Sequence, residues 1–283
     1  MTRSPLVWFI TGSSSGIGLS MTKTVLENGD IAIATLRKPS ALDHLREKYP
    51  PNRLHILKLD IVDKEDIITA FEYAKKELGR IDIVFNNAGC GVIGEIEGTP
   101  EEVARKVFDV NFWGTMNISK EAIRFFREVN RPQGGRLWNV SSIAGILPFA
   151  SLGYYSASKH ALEGATEALA SELDPKWNIK VTLLQFGSFK TRFMQQESSP
   201  EFPVHPAYSD PALMGNIIRG LKENGVYRDT DKATRMVFHE LASEPELPLR
   251  VAIGPDANTW IKQKLKTVEA DITKYERWSD NLD

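Results

Sequence analysis

The sequence predicts a doubly wound, parallel α/β sheet of about seven strands with an elaborated C-terminal region, on three observations. Short apolar, β-branched runs alternate with amphipathic segments of helical length, the order of a βαβ chain. The runs lack polar alternation, which suits strands covered by helices on both faces. A glycine-rich turn joins the first run to the first amphipathic segment, where a strand feeds a helix.

The strands are expected at Leu6–Thr11, Ile31–Thr35, Leu54–Leu59, Ile81–Asn86, Arg136–Ser141, Ile179–Phe186 and Leu249–Ile253. Helices are expected over roughly 16–28, 40–48, 64–78, 101–128 and 155–173. After Phe186 the pattern changes: residues 187–210 collect Ser, Pro and aromatic side chains without a period. Such a stretch inside a compact domain predicts a binding loop or mobile lid over the site. Helices resume over about 210–223 and 229–243, and a last one follows Gly254-Pro255-Asp256, where Pro and Asp suit a first turn. With no repeat, linker or low-complexity tract, residues 1–283 read as one domain. Its parts are a core over 1–187, a substrate-binding loop and helices over 188–248, and a last strand and helix over 249–283.

Composition narrows the function. Thirty-five basic residues stand against 37 acidic ones with no run of like charge, which argues against a nucleic-acid or anionic membrane surface. No apolar run approaches the roughly 18 residues of a membrane span. Met1 runs almost directly into an apolar strand, leaving no room for a secretory leader. One cysteine, Cys90, permits no internal disulfide, so a reducing, cytoplasmic location is expected. Five scattered histidines and an interrupted His239-Glu240 motif offer no metal site. Cys90 has no histidine nearby in sequence to activate it and reads as a packing residue.

The first turn is Thr11-Gly12-Ser13-Ser14-Ser15-Gly16-Ile17-Gly18. Gly12 permits the tight turn, Gly16 and Gly18 allow close approach, and the helix N-terminus presents N–H groups to a pyrophosphate. This is a Rossmann-type dinucleotide site, although its glycine spacing differs from Gly-x-Gly-x-x-Gly. Folds that prefer NAD place a carboxylate at the end of strand two. Here that place is Thr35, no acid occurs between Asp30 and Asp43, and Arg37 and Lys38 follow. A guanidinium grips a 2′-phosphate that a carboxylate would repel, so NADP is the expected cofactor.

Further along stand Asn86-Asn87-Ala88-Gly89, Asn111, Ser142, and Tyr155 with Lys159 four residues later. In order and spacing, over about residues 5–190, these motifs resemble the single-domain branch of the short-chain dehydrogenase/reductase superfamily. A looser likeness at Ala34–Arg37 and near 248–257 is to its 17β-hydroxysteroid and retinol dehydrogenase-like members. The resemblance implies that Asp60 and Ile61 flank the adenine, and that Asn87, Ala88 and Gly89 line the adenosine side. It implies that Ser14, Ser15 and Ile17 join the glycine turn around the phosphates, with Thr191 beyond strand six. One departure stands out: where relatives carry Pro-Gly after strand six, this chain has Phe186-Gly187. Phe186 either packs near the nicotinamide or belongs to the core.

The chemistry follows from the pair on one helical face. Tyr155 is the expected acid for a reduced carbonyl oxygen, or the base for an alcohol. A free phenol has a pKa of about 10, roughly three units or 4 kcal/mol from easy exchange near neutrality. An ammonium roughly 5 Å away supplies about 3 kcal/mol at an effective dielectric near 20. Lys159 is thus expected to lower the phenol, with the positive charge of an oxidised nicotinamide supplying the rest, and, by resemblance, to hold the nicotinamide ribose. Ser141 and Ser142 point to opposite faces of the strand, so only one can hold the substrate oxygen, and the resemblance, by its spacing to tyrosine, selects Ser142. Asn111 matches the position that in relatives holds a water and relays protons, or it is a helix-kink residue. Phe149, Phe186 and Phe193, with Ser142 and Tyr155, are expected to face an apolar, fairly bulky substrate. Trp113, Trp138 and Trp177 read as core.

The expected activity is an NADP-dependent interconversion of a ketone or aldehyde and an alcohol. The alternatives are an NADP-binding sensor or scaffold without turnover, and a reductase of imines or enones. Alanines 157, 161, 165 and 168 mark a flank for close helix packing, and relatives pair through this helix and the one over 101–128. A homodimer or homotetramer is therefore expected.

Overall fold

The computed structural model describes residues 4–191, 193 and 198–280, without the side chains of 222–224. Seven parallel strands form one sheet: β1 (Val7–Thr11), β2 (Ile31–Leu36), β3 (Leu54–Lys58), β4 (Ile83–Asn86), β5 (Gly135–Ser142), β6 (Ile179–Phe186) and β7 (Arg250–Ile253). Their order is β3-β2-β1-β4-β5-β6-β7, so the winding reverses between β1 and β4. Ligands of such sheets sit beyond the strand C-termini at that reversal.

The period of two along β1 builds both layers. Trp8 and Ile10 enter one core with Phe238 and Val237, while Val7 and Phe9 enter the other with Phe71 and Phe125. The first layer is carried by α1 (Gly16–Glu27) and α8 (Thr230–Leu241), the second by α3 (Lys64–Glu77) and α5 (Thr115–Glu128). In α3, Asp63 caps the N–H groups of Glu65 and Asp66, and Lys75 and Lys76 close the last turn, both favourable to the helix dipole. Between α1 and α3, a 3-10 turn at Pro39–Leu42 and one α-turn, α2 (Asp43–Arg46), occupy the place of the expected helix 40–48.

The expected helix 101–128 is not continuous. It divides into α4 (Glu101–Phe108), a π-helical stretch Asp109–Gly114, and α5. Two contacts impose the break. The Asn111 side chain is drawn inward to the loop after β4, and a Cβ on Gly114 would lie 2.8 Å from the Ile61 carbonyl oxygen. Helix α6 (Gly153–Glu172) begins two residues before the expected start, which places Tyr155 in its first turn. The C-terminal third adds α7 (Met214–Asn224), α8, β7 and α9 (Pro255–Tyr275). Among the described residues no helix is long and apolar enough to cross a membrane.

Candidate active site

A cleft of about 970 Å³ opens at the C-terminal ends of the strands. Its floor at one end is the β1–α1 turn, with Gly12, Ser14, Ser15, Gly16 and Ile17 on its wall. Gly12 adopts φ +69°, and a Cβ there would lie 2.9 Å from Ala88 Cα. Only glycine meets both demands. Gly18 does not reach the cleft; it packs against Asn87, whose Nδ2 would be 2.6 Å from an added Cβ. Ser15 is the N-cap of α1, yet its hydroxyl makes no cap hydrogen bond. First-turn N–H groups beside a glycine bend suit an anionic pyrophosphate, so these residues fit a dinucleotide.

Thr11 holds the β4 end of the cleft. Its hydroxyl accepts from the backbone N–H groups of Asn87 and Ala88, both at 2.9 Å, and Asn87 Nδ2 donates to the Thr11 carbonyl at 2.9 Å. Asn87, Ala88, Gly89, Asp60 and Ile61 all line the cleft. Strand β2 runs one residue beyond expectation, to Leu36. The Thr35 hydroxyl is buried and donates inward to the Ile10 carbonyl at 3.1 Å. Arg37, exposed and first after the strand, lines the cleft beside Leu36.

Ser142, Tyr155 and Lys159 meet in the middle. Ser142 ends β5, where its Oγ accepts from Ala144 N at 3.1 Å and caps a 3-10 turn. Ser141 is committed elsewhere: its hydroxyl donates to Glu163 at 2.6 Å, and that carboxylate also receives Gln185. Lys159 Nζ donates to the Val140 carbonyl at 2.9 Å and lies 6.0 Å from the centre of the Tyr155 ring.

The electrostatics differ from the sequence-based arithmetic. Burial pushes the Tyr155 phenol up to about 12, with a hydrogen bond from Ser142 acting against it and Cys90 adding to it. Burial likewise brings the Lys159 ammonium down to about 8, against the pull of Cys90 and Glu163. Loss of hydration outweighs the Ser142 bond at Tyr155 and the attraction of Cys90 and Glu163 at Lys159. Lys159 therefore does not lower the phenol in the protein alone. Tyr155 is held in its protonated form.

Asn111 is fully buried and does not line the cleft. Its Oδ1 accepts from Cys90 N at 2.9 Å, and its Nδ2 donates to Cys90 O at 2.8 Å and Ser158 Oγ at 3.0 Å. It ties the π-helical stretch to the loop after β4 and to α6. Cys90 itself is largely buried on the cleft wall, and burial raises its thiol.

Phe186 belongs to the core and also touches the cleft, its ring set edge-on to Phe189 at 5.5 Å. Without a proline, the loop after β6 is fixed by partners from the C-terminal third. Gly187 N donates to the Ile253 carbonyl, Ser188 N to Asp256 at 2.7 Å, and Arg228 pairs with Asp256 at 3.0 Å. Residues 188 and 190 exchange backbone bonds with Arg228. Thr191 reaches across to the glycine turn, where a Cβ on Gly16 would lie 3.3 Å from it. The Phe193 ring lies 4.5 Å from the Tyr155 ring. Of the expected lid, Arg192 and 194–197 lie outside the described residues. Residues 198–202 are pinned to the loop after β4 by backbone bonds with Gly91 and Ile93.

The far end of the cleft is apolar: Phe149, Leu152, Ile218, Leu221 and Trp260 join Phe193. The sequence did not mark Leu152, Ile218, Leu221 or Trp260: Leu152 caps α6, and α7 and α9 bring the other three here from distant positions. Trp138 is core as expected, Trp177 is half-buried under the Arg127 guanidinium, and Trp113 is 55% exposed rather than core. Trp113 sits on the outer side of the π-helical stretch, a rotation no continuous helix period anticipates. An ion pair also went unforeseen. Arg219 on α7, nearly buried, donates to both oxygens of Glu95 at 3.0 and 3.1 Å, joining α7 to the loop after β4.

A family model described as short chain dehydrogenase matches residues 6–201. An uncharacterized oxidoreductase of Schizosaccharomyces pombe is 35% identical over 266 residues, covering 93% of this chain and 87% of the relative. The 3-ketodihydrosphingosine reductase of Bacteroides thetaiotaomicron is 33% identical, covering 89% and 88%. The crystal structure of a short-chain dehydrogenase from Streptomyces avermitilis superposes with a TM-score of 0.89 at 31% identity, over 100% of both chains. The chain belongs to the short-chain dehydrogenase/reductase family, whose members are NAD(P)-dependent oxidoreductases.

Proposed function

We propose that the chain is an NADP(H)-dependent carbonyl reductase, reversible as an alcohol dehydrogenase, for an apolar and fairly bulky substrate. The observation that carries this is the meeting of Ser142, Tyr155 and Lys159 between a dinucleotide cradle and an apolar cleft end. A bound nicotinamide would supply or accept the hydride. Tyr155, kept protonated by burial, donates its proton to the carbonyl oxygen as negative charge grows there, and takes one back in oxidation. Ser142 holds that same oxygen. Lys159 binds the nicotinamide ribose, and Asn111 holds the segment beside it in place. Gly12, Ser14, Ser15, Gly16 and Ile17 take the phosphates, with Thr191 closing over them. Asp60, Ile61, Asn87, Ala88 and Gly89 take the adenosine.

Arg37 on the cleft wall, with no acid at the end of β2, favours the 2′-phosphate and hence NADP(H). The six apolar side chains at the far end favour a long alkyl or polycyclic carbonyl compound. A relative that acts on 3-ketodihydrosphingosine fits the same class. We also take the enzyme to be cytoplasmic and homo-oligomeric. The single cysteine supports the first, and the exposed or half-buried alanines 157, 161, 165 and 168 on α6 support the second.

The test follows NADPH oxidation with 3-keto amphiphiles of increasing chain length and with small charged ketones. Turnover should rise with chain length until the cleft is filled. Better turnover of small charged ketones would overturn the substrate class. Tight NADPH binding with no carbonyl reduced would make the protein a binder.

A further inference from the structure

Helix α9 leaves the body of the protein beyond Lys264. Ala257 is buried and the Trp260 ring lies 5.9 Å from Phe149, but from Leu265 onward every residue of the helix is exposed. Its apolar residues nevertheless keep a strict spacing: Ile261, Leu265, Val268, Ile272 and Tyr275, alternating by four and three. Leu265 is 56% and Ile272 66% exposed. This is the narrow a/d stripe of a two-helix seam, not the broad face of a helix lying in a lipid surface. Three lysines (262, 264, 266) cluster toward its start, and Glu269 and Asp271 lie beyond them.

The flanking charges choose the occupant and its direction. In an antiparallel pairing with a second copy, the register that sets Leu265 on the partner's Val268 also sets Ile261 on the partner's Ile272. That register brings Lys262 to the partner's Glu269 and Lys264 to the partner's Asp271. The two-fold axis repeats both pairs, so all four flanking pairs attract. Parallel pairing gives Lys264 the partner's Glu269 but sets Asp271 against the partner's Glu276, a repulsion. None of Lys262, Lys264, Glu269 and Asp271 is ion-paired with another described residue.

We propose that α9 is a homotypic docking surface: the seam Ile261–Ile272 pairs antiparallel with the same helix of a second copy. It is separate from the α6 flank and independent of the reaction assigned above. The seam is only about 17 Å long. It buries less than the roughly 1,600 Å² of a standard interface. The association is therefore concentration-dependent.

Sedimentation velocity of the full chain over a range of concentrations tests this. Leu265→Glu with Ile272→Glu should halve the mass of the assembly. Lys262→Glu with Lys264→Glu should weaken association at least about tenfold, since four attractive pairs become repulsive. Adding Glu269→Lys and Asp271→Lys should restore it. Mild oxidation of Lys264→Cys/Asp271→Cys should yield a covalent dimer more readily than either single variant, which fixes the antiparallel direction. A wild type that stays monomeric, or charge reversal without effect or without restoration, overturns the proposal. So does a monomer that binds phosphatidylcholine vesicles through Leu265 and Ile272, which would give the face to lipid.

Discussion

Lys159 is held in place against the fold's own preference, and Lys159→Met should stabilise the cofactor-free protein while abolishing turnover. At pH 7, an ammonium whose pKa the site lowers from 10.5 to about 8 carries a penalty on the order of 3 kcal/mol. Methionine matches the unbranched stem and removes that penalty. It also removes the 2.9 Å charge-assisted bond to the Val140 carbonyl, which offsets the gain by about 1.5 kcal/mol. The net expectation is about 1.5 kcal/mol of added stability at neutral pH, read from urea unfolding without cofactor. The pH dependence identifies the cause. Because the folded pKa lies below the unfolded one, the unfolded chain binds more protons between the two values, and wild-type stability rises with pH through that window. The advantage of the variant should accordingly be lost between pH 7 and about pH 9.5. A variant less stable than wild type at pH 7, or an advantage equal at both pH values, would refute the reasoning.

Arg37→Ala should weaken NADPH binding by about 1.5–3 kcal/mol, the worth of a hydrogen bond to a charged group, and leave NADH nearly unchanged. Calorimetry with both cofactors checks this, and tighter NADH than NADPH binding by the wild type would contradict it. Glu95→Gln should weaken the packing of α7 on the loop after β4 by about 1.5 kcal/mol, because Arg219 loses its charge-assisted bonds to Glu95 but keeps Glu201 at 3.1 Å and the Phe202 carbonyl at 2.9 Å. Burial raises the Glu95 carboxyl, but backbone N–H groups and Arg219 outweigh it and hold it below the usual range. The carboxylate's stabilisation is thus full above the ordinary carboxyl pKa and lost as pH falls through the lowered one. Proteolysis near α7 should increase on acidification in the wild type and be nearly pH-independent in the variant.

The parts of this molecule that sequence reveals are those set by short range. Apolar runs located the strands to within two residues, and the glycine turn, Tyr155 and Lys159, which the structure sets on one cleft, stood out because one turn or one helix face contains them. What escaped was set by tertiary contact. The break at Asn111 depends on Cys90 and Ser158, and the ordering of 198–202 on the backbone of Gly91 and Ile93. Arg219 and Glu95 lie 124 residues apart. The acidity of Tyr155 and Lys159 without cofactor is set at long range too: their spacing shows the pair but not the burial that raises the phenol and lowers the ammonium.

The central claim is that Tyr155 acts on the reacting oxygen and not on the dinucleotide. Its most direct test is Tyr155→Phe, assayed for steady-state NADPH oxidation with a long-chain ketone and for NADPH affinity on the same preparation. The account predicts loss of a factor of about 10²–10⁴ in turnover, the range for a positioned acid, with cofactor affinity nearly unchanged. A variant that keeps near wild-type turnover, or loses NADPH affinity in parallel with turnover, would contradict it.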